Sequence, residues 1–151
     1  MPKSNIFLDS SALLAGIISA QGAARALLLL GEDEKILLTI SEQVIVEIER
    51  NLARKVPKAL LFAREMIVRA NVRIERDPPA AEVRKHHDWI SHAADVPILV
   101  AAMRARVDFL CTLNNRHFIE DPEVSMKSGL HIGTPGDALA WVREQLANPV
   151  E

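Results

Sequence analysis

The sequence is short of cysteine, of aromatic residues and of charge imbalance, and it contains no long hydrophobic run. A lone cysteine, Cys111, excludes an internal disulfide, and its place beside Phe109 and Leu110 marks a buried core thiol in a reducing compartment. Aromatics make up 4% of the chain, so Ala, Leu, Ile and Val must fill the core. A formal net charge of −2 excludes a protein that coats nucleic acid by bulk electrostatics; any such contact is local. No segment approaches the roughly 20 consecutive apolar residues of a membrane helix. The apolar stretch after Lys3 is broken by Asp9, Ser10 and Ser11, unlike a signal peptide. The expectation is a cytoplasmic protein without a membrane partner.

What is present fits one domain over residues 1–151, with 49% hydrophobic and 25% charged residues and no repeat or low-complexity tract. Asn5 to Leu8 reads as a buried strand, followed by a helix capped by Ser10 or Ser11. Ala23 to Leu30 is a second helix ended by Gly31, and Ile36 to Ile40 a second buried strand. Ser41 is the expected cap of the next helix, whose inward stripe is Val44, Ile45, Ile48 and Leu52. Beyond Pro57 a helix spans about Lys58 to Ala70, then Val72 to Ile74 forms a strand with alternating faces, stopped by Asp77-Pro78-Pro79. Ala80 to Ile90 is moderately helical. Asp95 is a plausible cap for a buried helix starting near Pro97. Phe109 to Thr112 is the fourth strand, Asp121 to Gly129 a surface loop, Leu130 to Ile132 a fifth strand and Pro135 to Ala147 a final helix. Alternation of this kind builds a mostly parallel sheet with helices on both faces, and ligands bind such sheets beyond the strands' carboxyl ends.

Three carboxylates stand out against that pattern. Asp9 closes the first strand, Glu47 lies in the helix after the second, where Glu49 also flanks the apolar stripe, and Asp95 opens the Val96-Pro97 helix. Carboxylates that converge without cations between them repel one another or hold a hard divalent metal. Asp108 precedes a strand, Asp121 and Asp137 sit in turn or capping contexts, and all three read as structural. His86, His87 and His92 fall on a polar helical stretch without HExxH or Cys-His spacing, so a solvated face is expected rather than zinc. His92 precedes Asp95 by three residues and His117 follows Asn114, which puts both near the expected pocket.

At these residues the chain resembles the PIN-domain ribonucleases, in particular the toxins of VapBC toxin-antitoxin pairs. The resemblance is carried by FLDSSALLA (Phe7 to Ala15), SEQVIVEIERNL (Ser41 to Leu52), DVPILVAAMRARVDFLCTLNNRHF (Asp95 to Phe118) and GLHIGTPGDALAWV (Gly129 to Val142). It implies a three-layer α/β/α fold around a five-stranded parallel sheet in order 3-2-1-4-5. It also implies an acidic pocket for Mg2+ or Mn2+, cleavage of RNA, a homodimer, and a cognate antitoxin with an arginine-bearing segment near the pocket. Asp9, Glu47 and Asp95 match the family's first three acidic positions. At the fourth, two residues after Thr112, this sequence has Asn114. The amide keeps a carbonyl oxygen but gives up a charge, so weaker metal binding is expected and a second metal is disfavoured.

The implied mechanism is in-line attack by a metal-activated water on a phosphodiester. Asp9 and Asp95 would be the main ligands, Glu47 a ligand or water-orienting base, and Ser11 and Thr112 supports that orient those carboxylates. Arg50, Arg54 and Arg116 would hold substrate phosphates. Asn114 motivates a second reading, a catalytically weakened PIN-like module that binds RNA or protein. A receiver-like phosphoacceptor role for Asp9 is disfavoured because no acidic pair precedes the strand end.

Overall fold

The computed structural model describes residues 2–148, with the side chains of Asn115 and Arg116 outside that description. Five strands form one sheet in the order β3-β2-β1-β4-β5: β1 (Asn5–Leu8), β2 (Leu37–Ser41), β3 (Arg73–Glu75), β4 (Phe109–Cys111) and β5 (His131–Gly133). Every neighbouring pair is parallel, and Phe7 lies opposite Thr39 on one side and Leu110 on the other. The order and the parallel sense follow the expectation. The central strands are covered on both faces, and so Ile6, Phe7, Leu8, Leu38, Ile40 and Leu110 are all essentially inaccessible. The edge strand β3 is different: Arg73 and Ile74 are both exposed, and only Glu75 is partly covered.

Eight α-helices complete the fold among the described residues: α1 (Ser10–Ile18), α2 (Ala23–Glu32), α3 (Glu42–Lys55), α4 (Leu60–Arg69), α5 (Ala80–Lys85), α6 (Val96–Arg104), α7 (Pro122–Ser128) and α8 (Pro135–Ala147). Helix α6 buries Val96, Ile98, Leu99, Val100, Ala101 and Ala102, which its apolar sequence requires. Among the described residues, no single helix is long and apolar enough to cross a membrane.

The helix ends depart from the sequence reading in instructive ways. Asp9, not Ser10 or Ser11, caps α1, its carboxylate accepting the N–H of Ala12. Ser41 occupies the cap position of α3, yet its buried hydroxyl has no partner among the described residues. Asp77, arriving from the loop after β3, caps that helix instead: its Oδ1 accepts the Gln43 N–H at 2.8 Å while Glu42 Oε1 accepts the Asp77 N–H at 2.9 Å. The span expected as a surface loop contains α7, begun by Asp121 with Pro122 in its first turn and ended by Gly129 in the left-handed conformation (φ 73°). Helix α5 stops at Lys85 instead of continuing to Ile90. The bounds of β1 and α8 agree with expectation.

Candidate functional site

The sheet register fixes the heart of the site. Leu8 pairs with Cys111, so the next residues on each strand, Asp9 and Thr112, emerge side by side at the carboxyl edge. Asp9 is buried, 7% exposed, and each of its oxygens has donors. Oδ1 accepts Ser11 Oγ at 2.7 Å and the Ala12 N–H at 2.9 Å. Oδ2 accepts a short hydrogen bond from the Thr112 hydroxyl. Burial pushes the Asp9 carboxyl up from its ordinary value and the nearby Asp95 charge adds to this, while Thr112, Ser11 and Ala12 pull the other way. The two supports are tied to the following loop, since Ser11 Oγ accepts the Leu113 N–H and Thr112 Oγ1 accepts the Asn114 N–H.

Glu47 reaches the same place from the second turn of α3. Its Oε2 accepts the Ser10 hydroxyl at 2.9 Å and its Oε1 accepts Gln43 Nε2 at 2.9 Å. The contact to Ser10 fastens α3 to the start of α1. That α3 pairs Glu47 with the cleft is helical geometry: it sits one residue before the buried Ile48, on the flank of the apolar stripe.

Asp95 ends a short 3-10 turn (Ala93–Asp95) ahead of α6, and its carboxylate caps nothing. It turns instead to the loop after β4, where His117 Nδ1 lies 2.6 Å and Asn114 Nδ2 3.3 Å from Oδ2; His92 Nδ1 is 3.4 Å from the same oxygen. The rings of His92 and His117 stack at 4.3 Å, with 9° between their planes. Asn114 Oδ1 accepts the His117 N–H at 3.2 Å, so its carbonyl is engaged within its own loop and its amide nitrogen faces the acid. That nitrogen also lies 2.8 Å from His117 Nδ1. One ring nitrogen donates or accepts but not both, and the charge-assisted bond to Asp95 favours the donor form. His117 sits in a π-helical turn, Asn115–Ile119.

Asp9, Glu47, Asp95 and Asn114 all line one open cleft of about 810 Å³. Arg50 and Arg54, exposed on α3, lie on its wall, as does Asp77, which the sequence reading had not placed there. The Arg116 side chain lies outside the described residues. Asp108, Asp121 and Asp137 are engaged in structure: Asp108 accepts the Asn5 N–H, Asp121 caps α7, and Asp137 closes a capping box with Thr134. The sequence places His92 and His117 near the pocket, but not against each other. His92 and His117 are 25 residues apart and meet only because the β4 loop folds back on the start of α6, which no spacing rule detects.

A family model described as the PIN domain matches residues 5–116, most of the chain. This chain belongs to the PIN-domain family. Solved structures share the PIN fold. The protein PAE2754 of Pyrobaculum aerophilum superposes with a TM-score of 0.64 at 19% identity, over 94% of this chain and 97% of that one. VapBC2 of Rickettsia felis, solved bound to a DNA fragment from its promoter, gives 0.63 at 17% identity, over 86% and 98%. Mycobacterium tuberculosis VapC20, described as a sarcin-ricin loop cleaving toxin, gives 0.56 at 16% identity, over 74% and 91%. No curated protein matches the sequence.

Proposed function

We propose that this PIN domain is a metal-dependent endoribonuclease and the toxin of a toxin-antitoxin pair. The observation that carries the reading is the gathering of Asp9, Glu47 and Asp95, from three separate segments, around one cleft at the carboxyl edge of a parallel sheet. PIN domains are a nuclease family that typically uses a divalent metal, and VapC toxins are among the structural neighbours, which supports the same direction. The donor set fits Mg2+ or Mn2+: these are oxygen ligands from carboxylates, and the Asp9 carboxyl raised by burial and by Asp95 is eased when a cation shares its charge. Such an ion would lower the pKa of a bound water and offset charge on the phosphoryl oxygens.

The remaining work falls to the chain. Thr112 and Ser11 hold the Asp9 oxygens in place, and Ser10 with Gln43 aim the Glu47 carboxylate, the group suited to orient the attacking water. Arg50 and Arg54 hold backbone phosphates of a single-stranded RNA along α3. An antitoxin that inserts an arginine into the cleft, and pairing of two copies of the chain, complete the reading. The test is cleavage of single-stranded RNA with Mg2+ or Mn2+, its loss with EDTA, and its loss in Asp9→Ala or Asp95→Ala. A second reading, an RNA-binding module without cleavage, draws support from Asn114, whose carbonyl is taken by the His117 N–H. RNA binding at full strength with no cleavage under any metal selects it.

A further inference from the structure

We propose that His92, Asp95 and His117 form a binding site for a borderline first-row divalent cation of the Zn2+ or Co2+ kind, distinct in ligand chemistry from the all-oxygen set around Asp9. Each of the three offers one ligand atom, and these atoms lie within 4.8 Å of one another. Ligands of a tetrahedral zinc, about 2.0–2.1 Å from the ion, stand roughly 3.4 Å apart. The separation of His92 Nδ1 from Asp95 Oδ2 is already 3.4 Å. His117 Nδ1, at 2.6 Å, is drawn in by its hydrogen bond and needs to open by less than 1 Å once a cation replaces the proton.

The arrangement is built from both sides. Asn114 Oδ1 holds the His117 backbone, and His92 precedes the turn that ends in Asp95. Near-parallel stacking brings the Nδ1 atoms of both rings to the same carboxylate oxygen. As ligands, the two stacked rings would each present a nitrogen lone pair to a shared ion. Imidazole nitrogen selects Zn2+, Co2+ and their neighbours over Mg2+, which demands oxygen ligands. His92, with a side chain 52% exposed, leaves the site open to solvent, and three protein ligands leave one position for water or a phosphate oxygen.

The proposal does not rest on the nuclease reading, although Asp95 belongs to both ligand sets. The experiment is titration of the metal-stripped full chain with Co2+, read by its visible d–d absorption, followed by displacement with Zn2+. One equivalent giving an intense band of four- or five-coordinate Co2+, displaced by Zn2+, is the expected result. Loss of an outer-shell partner already weakens metal sites by about 10–100-fold, so loss of a direct ligand in His92→Ala or His117→Ala should weaken binding at least tenfold. His117→Gln, which keeps a hydrogen bond to Asp95 but is a poor ligand, should do the same, with folding followed by circular dichroism. His87→Ala and His131→Ala should leave the band and its midpoint unchanged. The idea is overturned if Co2+ gives only a weak octahedral spectrum, fails to bind, or binds in a manner lost with Glu47→Gln and untouched by the histidine variants. No RNA enters the measurement, so failure of cleavage and failure of this site are told apart.

Discussion

Asp9 and Asp95 are the same residue type on the same cleft, held in opposite ways. Asp9 is locked by its own turn and by the neighbouring strand: a backbone N–H and two hydroxyls, all neutral, none more than a short reach away. Asp95 is held by titratable and amide side chains from a loop and a 3-10 turn, and its side chain is 17% exposed. A carboxylate pinned by sheet register has one geometry. One held by loop histidines can exchange partners. The difference teaches that the invariable half of the site comes from the sheet and the adjustable half from the loops around it.

The largest effect that breaks this comparison is removal of either acid. Asp9→Ala and Asp95→Ala should each lower RNA cleavage on the order of 100-fold or more, measured with a fluorogenic single-stranded substrate. Only Asp9→Ala should also cost stability, about 1 kcal/mol for the lost helix cap and about 1–3 kcal/mol for the hydroxyl of Thr112 left without its acceptor, seen in urea unfolding. Equal destabilisation by both variants would remove the distinction.

Next in size, Thr112→Val deletes the donor to Asp9 and the acceptor of the Asn114 N–H at nearly constant volume. Metal affinity by calorimetry should fall about tenfold, with a loss of about 1–3 kcal/mol in stability. Asn114→Asp sharpens the adjustable half: a second carboxylate beside Asp95 should tighten Mn2+ binding several-fold and destabilise the metal-free protein by like-charge repulsion. Unchanged Mn2+ affinity would place position 114 outside the metal's reach.

The smallest expected effect is a pH response of Asp9. Its folded carboxyl is raised above its ordinary value of 3.8, so between the ordinary and the raised value the folded state holds more of the proton than the unfolded state does. That contribution to stability is complete below the ordinary value and is lost as pH rises through the raised one. Asp9→Asn, which fixes the uncharged form, should therefore raise the melting temperature of EDTA-treated protein by a few degrees at neutral pH. The gain should shrink as the pH is lowered toward 4. A gain that persists at low pH would assign it to something other than the proton.

Much of the fold was legible in the chain. The buried run at β1, the apolar α6 and the Thr134-Pro135 start of α8 each carry local patterns strong enough to fix type and position. Helix α7 went unread although its signals, Asp121-Pro122 and Gly129, are present; seven residues are too few to show a period. The Ser41 cap was misread because its replacement, Asp77, arrives from 36 residues away. The same reason hid the contact between His92 and His117. Asp9 could be located by its strand end and Glu47 only by the family resemblance, since Glu49 flanks the same apolar stripe, whereas the Asp95–His117 pair depends on how a loop closes, a long-range fact that composition and period do not encode.

The residue that starts α1 is also the one facing the cleft, and this double employment has a consequence inside a cell. On the proposed function, any change at position 9 that shortens the side chain would both disarm the protein and thin its supply, since a loss of one or two kcal/mol alters steady-state amounts several-fold through degradation. Harmlessness of such a variant when overproduced would thus conflate chemistry with turnover. The amide at position 9, equal in size and free of charge, is the exchange that keeps the two apart.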